Sequence, residues 1–259
     1  MPLASPPALV TVVESSSPGD VRPGARLLLG ADGATRGGIS PALDQHALAA
    51  AADALAAGVS RTVQLQLPEG GAARAFVEVA RPPLRLVVCG AGHDAMPLVR
   101  QAAALGWRVV VADVRRVFLT HERFPGAGGF IDANPLQVAD AIEPDGRTAV
   151  IVMSHNYLRD GEVLRSLARA GIARLAYLGL LGPRGRSEKL LAALAGEGLD
   201  LTDADRARLH APAGLDLGAD EPEEVAAAIV AEILAVERGH SARPLRDSPG
   251  PIHGGTVST

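Results

Sequence analysis

The sequence has 259 residues, a formal net charge of −4 and a single cysteine. The acidic balance argues against a nucleic-acid-binding surface, and one cysteine excludes both an intrachain disulfide and a four-cysteine zinc site. No stretch approaches the roughly eighteen apolar residues of a membrane span and the first residues lack a signal-peptide pattern, so we expect a soluble, cytoplasmic protein of one or two domains with no membrane partner.

The first eighty residues predict a small α+β unit. An alanine-rich stretch over 42–57 predicts a helix that Ser40 caps and that ends at Gly58. Four short apolar runs are typical of strands: Ala8–Val13, Arg26–Leu29, Thr62–Leu67 and Arg74–Val79. A Pro-Glu-Gly-Gly turn joins the last two. Because Pro82 and Pro83 then break the chain, we place the first domain at residues 1–81.

From Leu84 onward, apolar strands alternate with helical stretches, which predicts a doubly wound parallel sheet covered on both faces. The predicted strands are Leu84–Cys89, Trp107–Ala112, Thr148–Ser154 and Leu175–Leu178. The last predicted helix is Pro222–Val236, with a proline at its first position and glutamates in its first turn. We place this second domain at residues 84–239 and expect residues 240–259 to form a mobile tail.

The sharpest local pattern is Gly-Ala-Gly-His-Asp-Ala over residues 90–95, between a predicted strand and a predicted helix. In a dinucleotide-binding loop the first glycine permits a tight turn, the second lets a phosphate approach the backbone, and a small third residue lets the helix pack closely. Asp113 ends the next predicted strand, where a carboxylate can hydrogen-bond a ribose hydroxyl. The pattern predicts a Rossmann-like domain with a phosphate-bearing ligand. The alternative is a tight connection that holds no ligand.

Other polar residues follow the later predicted strands, at the sheet edge where ligands of open α/β proteins bind. His155 can act as an acid or base at neutral pH, or as a structural group. A glycine-rich turn over 179–186 carries two arginines that suit bidentate recognition of a phosphate or carboxylate, or that face solvent. Arg115 and Arg116 can accommodate an additional phosphate, as in NADP-type sites, or be solvated.

No residue is assigned a catalytic or metal-binding role. Cys89 ends a buried strand and is interpreted as core packing, because an apolar environment raises a thiol pKa. The candidate cofactor-binding residues are Gly90, Gly92, His93, Ala95, Asp113, Arg115, His155, Asp160, Gly179, Gly182, Arg184 and Arg186.

The order of these motifs resembles the xanthine dehydrogenase accessory factor family, also called XdhC/CoxI. In the second domain the similar segments are Gly90–His93, Asp113–Arg115, Arg123–Pro125, Ser154–His155 with Asp160, Tyr177–Arg184, Pro212–Asp216, and Pro222–Glu224 with Ala231–Ile233. Gly250–His253 in the tail is also similar. In the first domain the similar segments are Thr11–Val13, Ser16–Pro18 and Pro23–Ala25.

The resemblance implies a maturation factor that is not itself an enzyme. Such factors bind the molybdenum cofactor (molybdopterin), assist its sulfuration by a cysteine desulfurase, and deliver it to a hydroxylase of the xanthine dehydrogenase type. A homodimer is a further expectation. The pterin is anionic, so a glycine loop at a helix N-terminus with nearby arginines suits it. Two alternatives stay open: an NAD(P)-dependent oxidoreductase with His155 as acid or base, and a docking scaffold that binds no ligand.

One departure from the family pattern concerns sulfur. Family members usually carry a cysteine and a glutamate after the first-domain glycines, whereas the matching region here, residues 37–44, contains no cysteine. A thiolate is a soft metal ligand and a nucleophile. The chain is therefore either a divergent member that binds or delivers the cofactor without its own thiol, or one that keeps the scaffold for another ligand.

Overall fold

The computed structural model describes residues 7–17, 20–67 and 70–247, which form two compact units: residues 7–82 with 244–247, and residues 83–243. Some of the predictions therefore fall outside the described residues. These are the tail from residue 248 onward, including Gly250–His253, together with Pro18 and the first two residues of the predicted Pro-Glu-Gly-Gly turn.

The first unit is an antiparallel sheet with one helix on it. Its elements are β1 (Ala8–Ser15), β2 (Arg26–Leu29), β3 (Thr35–Gly38), α1 (Asp44–Ala57), β4 (Arg61–Gln66) and β5 (Ala72–Val79). The strand order is β3-β2-β1-β5-β4, with every neighbouring pair antiparallel. Small residues of α1, among them Ala47 and Ala51, are buried with Val10, Leu27 and Val77 of the sheet. The predicted α+β architecture is confirmed.

The start of α1 differs from the prediction. The hydroxyl of Ser40 has no hydrogen-bond partner among the described residues, so the predicted serine cap is wrong. The carboxylate of Asp44 instead accepts hydrogen bonds from the backbone N–H groups of Ile39 at 2.7 Å and Ser40 at 3.2 Å. A carboxylate at this end of a helix also meets the positive end of the helix dipole. The chain entering α1 is therefore held by a residue of the helix itself.

The second unit is a parallel sheet wound on both faces. Its elements are β6 (Arg85–Cys89), α2 (Ala95–Ala104), β7 (Arg108–Ala112), β8 (Gly129–Ile131), α3 (Val138–Ile142), β9 (Thr148–Val152), α4 (Tyr157–Ala170), β10 (Tyr177–Leu180), α5 (Arg184–Gly196), α6 (Asp203–Arg206), β11 (Leu209–His210) and α7 (Pro222–Arg238). The order is β11-β10-β9-β6-β7-β8, and all neighbouring pairs are parallel. The predicted Rossmann-like, doubly wound fold is confirmed.

Side-chain alternation along the strands builds two cores. Leu86 and Val88 of β6 pack with α2 and α7 on one face, whereas Val87 and Cys89 pack with α3, α4 and α5 on the other. This is the period of two that a pleated strand requires. Because Cys89 lies within the second core, its interpretation as a packing residue is confirmed.

The strand order reverses direction between β6 and β9. The chain from β6 runs outward through β7 to β8, and the chain from β9 runs outward the other way through β10 to β11. Such a switch point leaves a crevice beyond the carboxyl ends of the two central strands. The loops that begin at Gly90 and at Met153 meet there.

No helix within residues 7–17, 20–67 and 70–247 combines the length and the apolar character that crossing a bilayer requires.

Candidate functional site

Gly90 makes the turn out of β6 under tight steric conditions. Its φ is +130°, and a Cβ at this position would lie 2.6 Å from the carbonyl oxygen of Met153. A Cβ on Gly92 would meet only Cδ2 of His155, at 3.6 Å, which is an ordinary contact. Gly90 is thus required by the close approach of the β6 and β9 ends, whereas Gly92 leaves open space above the loop.

The loop presents unused donors at the start of α2. Within the described part of the chain, the backbone N–H groups of Gly92, His93 and Asp94 donate to no acceptor. Ala95 is fully buried at the first position of the helix, as expected of the small residue that lets helix and strand pack closely. Free N–H groups at the N-terminus of a helix favour an anion.

Asp113 is held in a closed hydrogen-bond network. Its Oδ1 accepts from the backbone N–H (2.8 Å) and Nε (2.9 Å) of Arg115, and its Oδ2 accepts from the backbone N–H of Ala91 (2.7 Å) and from Nη2 of Arg115 (2.7 Å). A carboxylate has about four acceptor positions, so all are used. Burial alone would raise the pKa of Asp113, but the hydrogen bonds from Arg115 and Ala91 outweigh burial and lower it.

His155 and Asp94 form a pair at the mouth of the crevice. The ring Nε2 of His155 lies 2.9 Å from Oδ2 of Asp94, and both side chains are partly exposed. His155 has a φ of +57°, a left-handed conformation that few residues other than glycine adopt. The predicted site residue His155 is therefore turned toward the glycine loop and paired with Asp94, which was not among the predicted site residues, whereas the predicted His93 is exposed.

Asp160 ties the end of β9 to the start of α5. It is 2% exposed and accepts from the backbone N–H and the hydroxyl of Ser154, and from Nη2 of Arg186 at 2.6 Å. Arg186, which the sequence suggests for phosphate recognition, is thus paired within the protein. Its role in this structure is to position the loop that follows β9.

The glycine-rich turn contributes less to the crevice than predicted. Gly179 is buried in β10, where a Cβ would lie 2.5 Å from Cδ1 of Ile151, so core packing accounts for this glycine. Gly182 has a φ of +121° and makes the turn into α5. Arg184 is exposed at the first position of α5.

The crevice contains an arginine that sequence reasoning missed. A cleft of about 340 Å³, part of it open to solvent, is lined by Cys89, Gly90, Ala112, Asp113, Val114, Ala133, Pro135, Val138, Ser154, Arg159 and Val163. The guanidinium of Arg159 has no hydrogen-bond or ion-pair partner among the described residues. The structure places this arginine in the first turn of α4, and the sequence gives no sign that it has no partner among the described residues.

Arg123 supports the glycine loop from the outside. Its Nε donates to the carbonyl oxygen of Ala91 at 3.3 Å, and its guanidinium lies 5.1 Å from the ring centroid of Phe118. Arg123 is part of the motif series in the sequence, although it was not among the predicted site residues.

In the described residues, no three histidine, cysteine, aspartate or glutamate side chains are grouped to hold a metal ion.

We expect Cys89 to be chemically inert in the folded protein. Burial, with the nearby carboxylates of Asp160 and Asp113, raises the pKa of its thiol to about 12. At pH 7 roughly one thiol in 10⁵ is then ionised, and only the thiolate is nucleophilic. A chromogenic disulfide reagent should label the native protein at least about 100-fold more slowly than the urea-unfolded protein. Equal rates would show that the thiol is accessible and ionised.

The fold and the crevice define a class: an α/β protein with a Rossmann-type domain and a cleft at its switch point, lined in part by an arginine with no partner among the described residues. The XdhC Rossmann domain model matches residues 86–233, and the XdhC and CoxI family model matches residues 4–66. The chain therefore belongs to the XdhC/CoxI family, as its motifs indicated.

Two relatives are similar to the chain over most of its length. The chain is 32% identical over 188 residues to a probable xanthine dehydrogenase subunit of Bacillus subtilis (strain 168), covering 72% of this chain and 53% of that protein. It is 36% identical over 169 residues to the uncharacterized protein YqeB of Escherichia coli (strain K12), covering 65% of this chain and 30% of that one. The chain thus spans about half the length of the first relative and under a third of the second.

A crystal structure described as a xanthine dehydrogenase from Bacillus halodurans has a similar fold. Its TM-score is 0.56 at 21% sequence identity, and the match covers 96% of this chain and 95% of that one. At this identity the similarity supports the fold alone.

Proposed function

We propose that this chain is an accessory factor for a xanthine dehydrogenase-type hydroxylase, and that it binds the molybdenum cofactor in the cleft at the switch point. The observation that carries the proposal is the unpaired guanidinium of Arg159 in the wall of that cleft. Names that mention xanthine dehydrogenase recur among the relatives and solved structures. Family membership and cleft chemistry therefore lead to the same class of ligand.

The charge of the cleft favours an anion. Two charged side chains line it, Asp113 and Arg159, and the carboxylate of Asp113 is already neutralised by Arg115. Among the described residues this leaves one positive charge of the cleft uncompensated. The glycine loop that begins at the lining residue Gly90 also carries the N–H groups of Gly92 and His93, which donate to no described acceptor. A phosphate-bearing ligand meets both the guanidinium and the N–H groups of the loop, and hydrogen bonds to charged groups are the strong ones.

The remaining lining suits a ring system. Most of it is apolar, contributed by residues such as Val114, Pro135, Val138 and Val163. A pterin with its terminal phosphate matches this combination of apolar wall and single cation.

Delivery requires a surface on which the client enzyme can dock near the cleft. Exposed apolar side chains lie directly beside lining residues: Leu136 follows Pro135, and Tyr157 and Leu158 precede Arg159. Leu158 is 74% exposed and Tyr157 is 43% exposed. We propose that this patch contacts the hydroxylase while the cofactor is transferred.

The single cysteine constrains how sulfur reaches the ligand. Cys89 is buried and protonated, so it does not serve as a sulfur carrier for a ligand in the cleft. If a cysteine desulfurase acts on the bound cofactor, the sulfur must pass from the desulfurase to the ligand without a thiol of this chain as an intermediate carrier. The desulfurase and the homodimer stay predictions.

Pterin retention tests the proposal. Protein purified from cells that make the cofactor is oxidised, and the fluorescent pterin released per chain is measured. We expect Arg159→Gln to lower retention about tenfold or more, because a hydrogen bond to a charged group contributes about 1.5–3 kcal/mol. The Arg159→Gln factor should also activate hydroxylase apoprotein less, because it carries less pterin.

The matched control is Arg169→Gln, which removes an exposed arginine from the last turn of the same helix. It should retain as much pterin as the unmodified protein. Retention that is unaffected by Arg159→Gln, or an unmodified protein that takes up no pterin when offered it, would contradict the proposal.

A further inference from the structure

We infer that Arg115 is a specificity-determining residue that prevents the cleft from recognising a ribose diol. The inference deepens the proposed function, because it takes the switch-point cleft to be the ligand site. It concerns which anionic ligands the cleft does not bind. The observation is the saturation of Asp113, the residue at the position where dinucleotide-binding proteins hold the ribose.

Two of the four hydrogen bonds to Asp113 come from backbone N–H groups, those of Ala91 and Arg115, and the fold fixes them. The other two come from Nε and Nη2 of the Arg115 side chain, at 2.9 and 2.7 Å. A ribose diol offers two hydroxyl donors. The Arg115 side chain therefore occupies the same number of acceptor positions that a diol would need.

The surroundings hold Arg115 in place. Its guanidinium lies 4.8 Å from the ring centroid of Phe118, and the Asp113 side chain to which it is paired is only 3% exposed. Bidentate arginine–carboxylate pairs combine charge with fixed geometry. A neutral diol would have to displace a charged donor from a buried carboxylate, which is unfavourable because neutral hydrogen bonds are weaker than charged ones.

Paired ligands that differ only in the diol test this inference. AMP and 2′,3′-dideoxy-AMP share the base and the phosphate, and their affinities are compared by calorimetry. The unmodified protein should bind the two with equal affinity. Arg115→Met keeps an apolar side chain next to Phe118 and frees two acceptor positions, so it should bind AMP at least about tenfold more tightly than the dideoxy analogue.

Two further variants complete the experiment. Adding Asp113→Asn to Arg115→Met should abolish the acquired preference, because an amide has about two acceptor positions where the carboxylate has four, and the backbone N–H groups already draw on them. Arg115→Lys returns a single side-chain donor to Asp113, so its preference for AMP should lie between those of the unmodified protein and Arg115→Met. This variant also tests the inference if the methionine variant does not fold. A tenfold AMP preference in the unmodified protein, or no preference in either Arg115 variant, would overturn the inference.

The pterin experiment gives a separate result. An unmodified protein that retains no pterin would contradict the proposed function, whereas the ratio of AMP to dideoxy-AMP affinity would still report on Arg115. Conversely, unchanged pterin retention with no diol preference in the variants would contradict the inference alone.

Discussion

Gly90→Ala should destabilise the second unit by about 3 kcal/mol, although it adds one methyl group. The residue has a φ of +130°, and its new Cβ would lie 2.6 Å from the carbonyl oxygen of Met153 and 2.7 Å from the backbone nitrogen of Ser154. Both neighbours are backbone atoms at the end of β9, so no side-chain rotation relieves the clash. Relief requires moving apart the central strands that form the switch point.

Urea unfolding measures this effect. Trp107 is the sole tryptophan of the sequence and precedes β7, so its fluorescence reports on the second unit. Gly92→Ala is the matched control, because its Cβ finds space at 3.6 Å from His155, and its unfolding free energy should change by less than about 1 kcal/mol. Equal losses in the two variants would contradict the distinction between a glycine required by packing and one that leaves space for a ligand.

Asp160→Leu should cost about 3 kcal/mol or more, because it removes the partner of a largely buried arginine. The Asp160 side chain is 3% exposed and that of Arg186 is 21% exposed, so the remaining guanidinium would lose its pair where water compensates poorly. Ser154 would lose its acceptor at the same time. We therefore expect both lower stability and a displaced loop after β9.

A double-mutant cycle separates the buried charge from the lost packing. Asp160→Leu combined with Arg186→Leu should recover at least half of the loss, because apolar replacement of both partners is often close to neutral. The Arg165–Glu197 pair is bidentate but its carboxylate side chain is 41% exposed, so Glu197→Leu is a control that should cost clearly less than Asp160→Leu. No recovery in the double variant would show that the carboxylate, not its pairing, is what the fold requires.

The sequence predicts the architecture of the second unit well because its strongest signals are local. The Gly-x-Gly loop, the buried strands and the helix starts each follow from neighbouring residues, and the parallel sheet follows from their alternation. The short strands β8 and β11 were missed, since three and two residues carry too little pattern. β3 was missed because all of its residues are exposed.

The site was harder to predict, because its chemistry depends on pairings between distant segments. The sequence predicts Asp113 and Arg186 as cofactor-binding residues, whereas in the structure both are engaged with protein partners. Arg159 was overlooked because its relevant property is the lack of a partner, which no local pattern encodes. The Ser40 cap failed because the N–H groups of Leu43 and Asp44 donate to the carbonyl oxygen of Ser40 and not to its hydroxyl.

The inert thiol in the cleft wall has a consequence for any sulfur-bearing ligand. Thiol exchange and persulfide formation both begin with a thiolate, and the pKa of Cys89, about 12, lies far above neutral pH. The cleft wall can therefore neither remove sulfur from a ligand nor form a mixed disulfide with it. Among the described residues, none of the cleft lining supplies a reactive thiol, so any change in the sulfur content of a ligand held there would have to come from a molecule other than this chain.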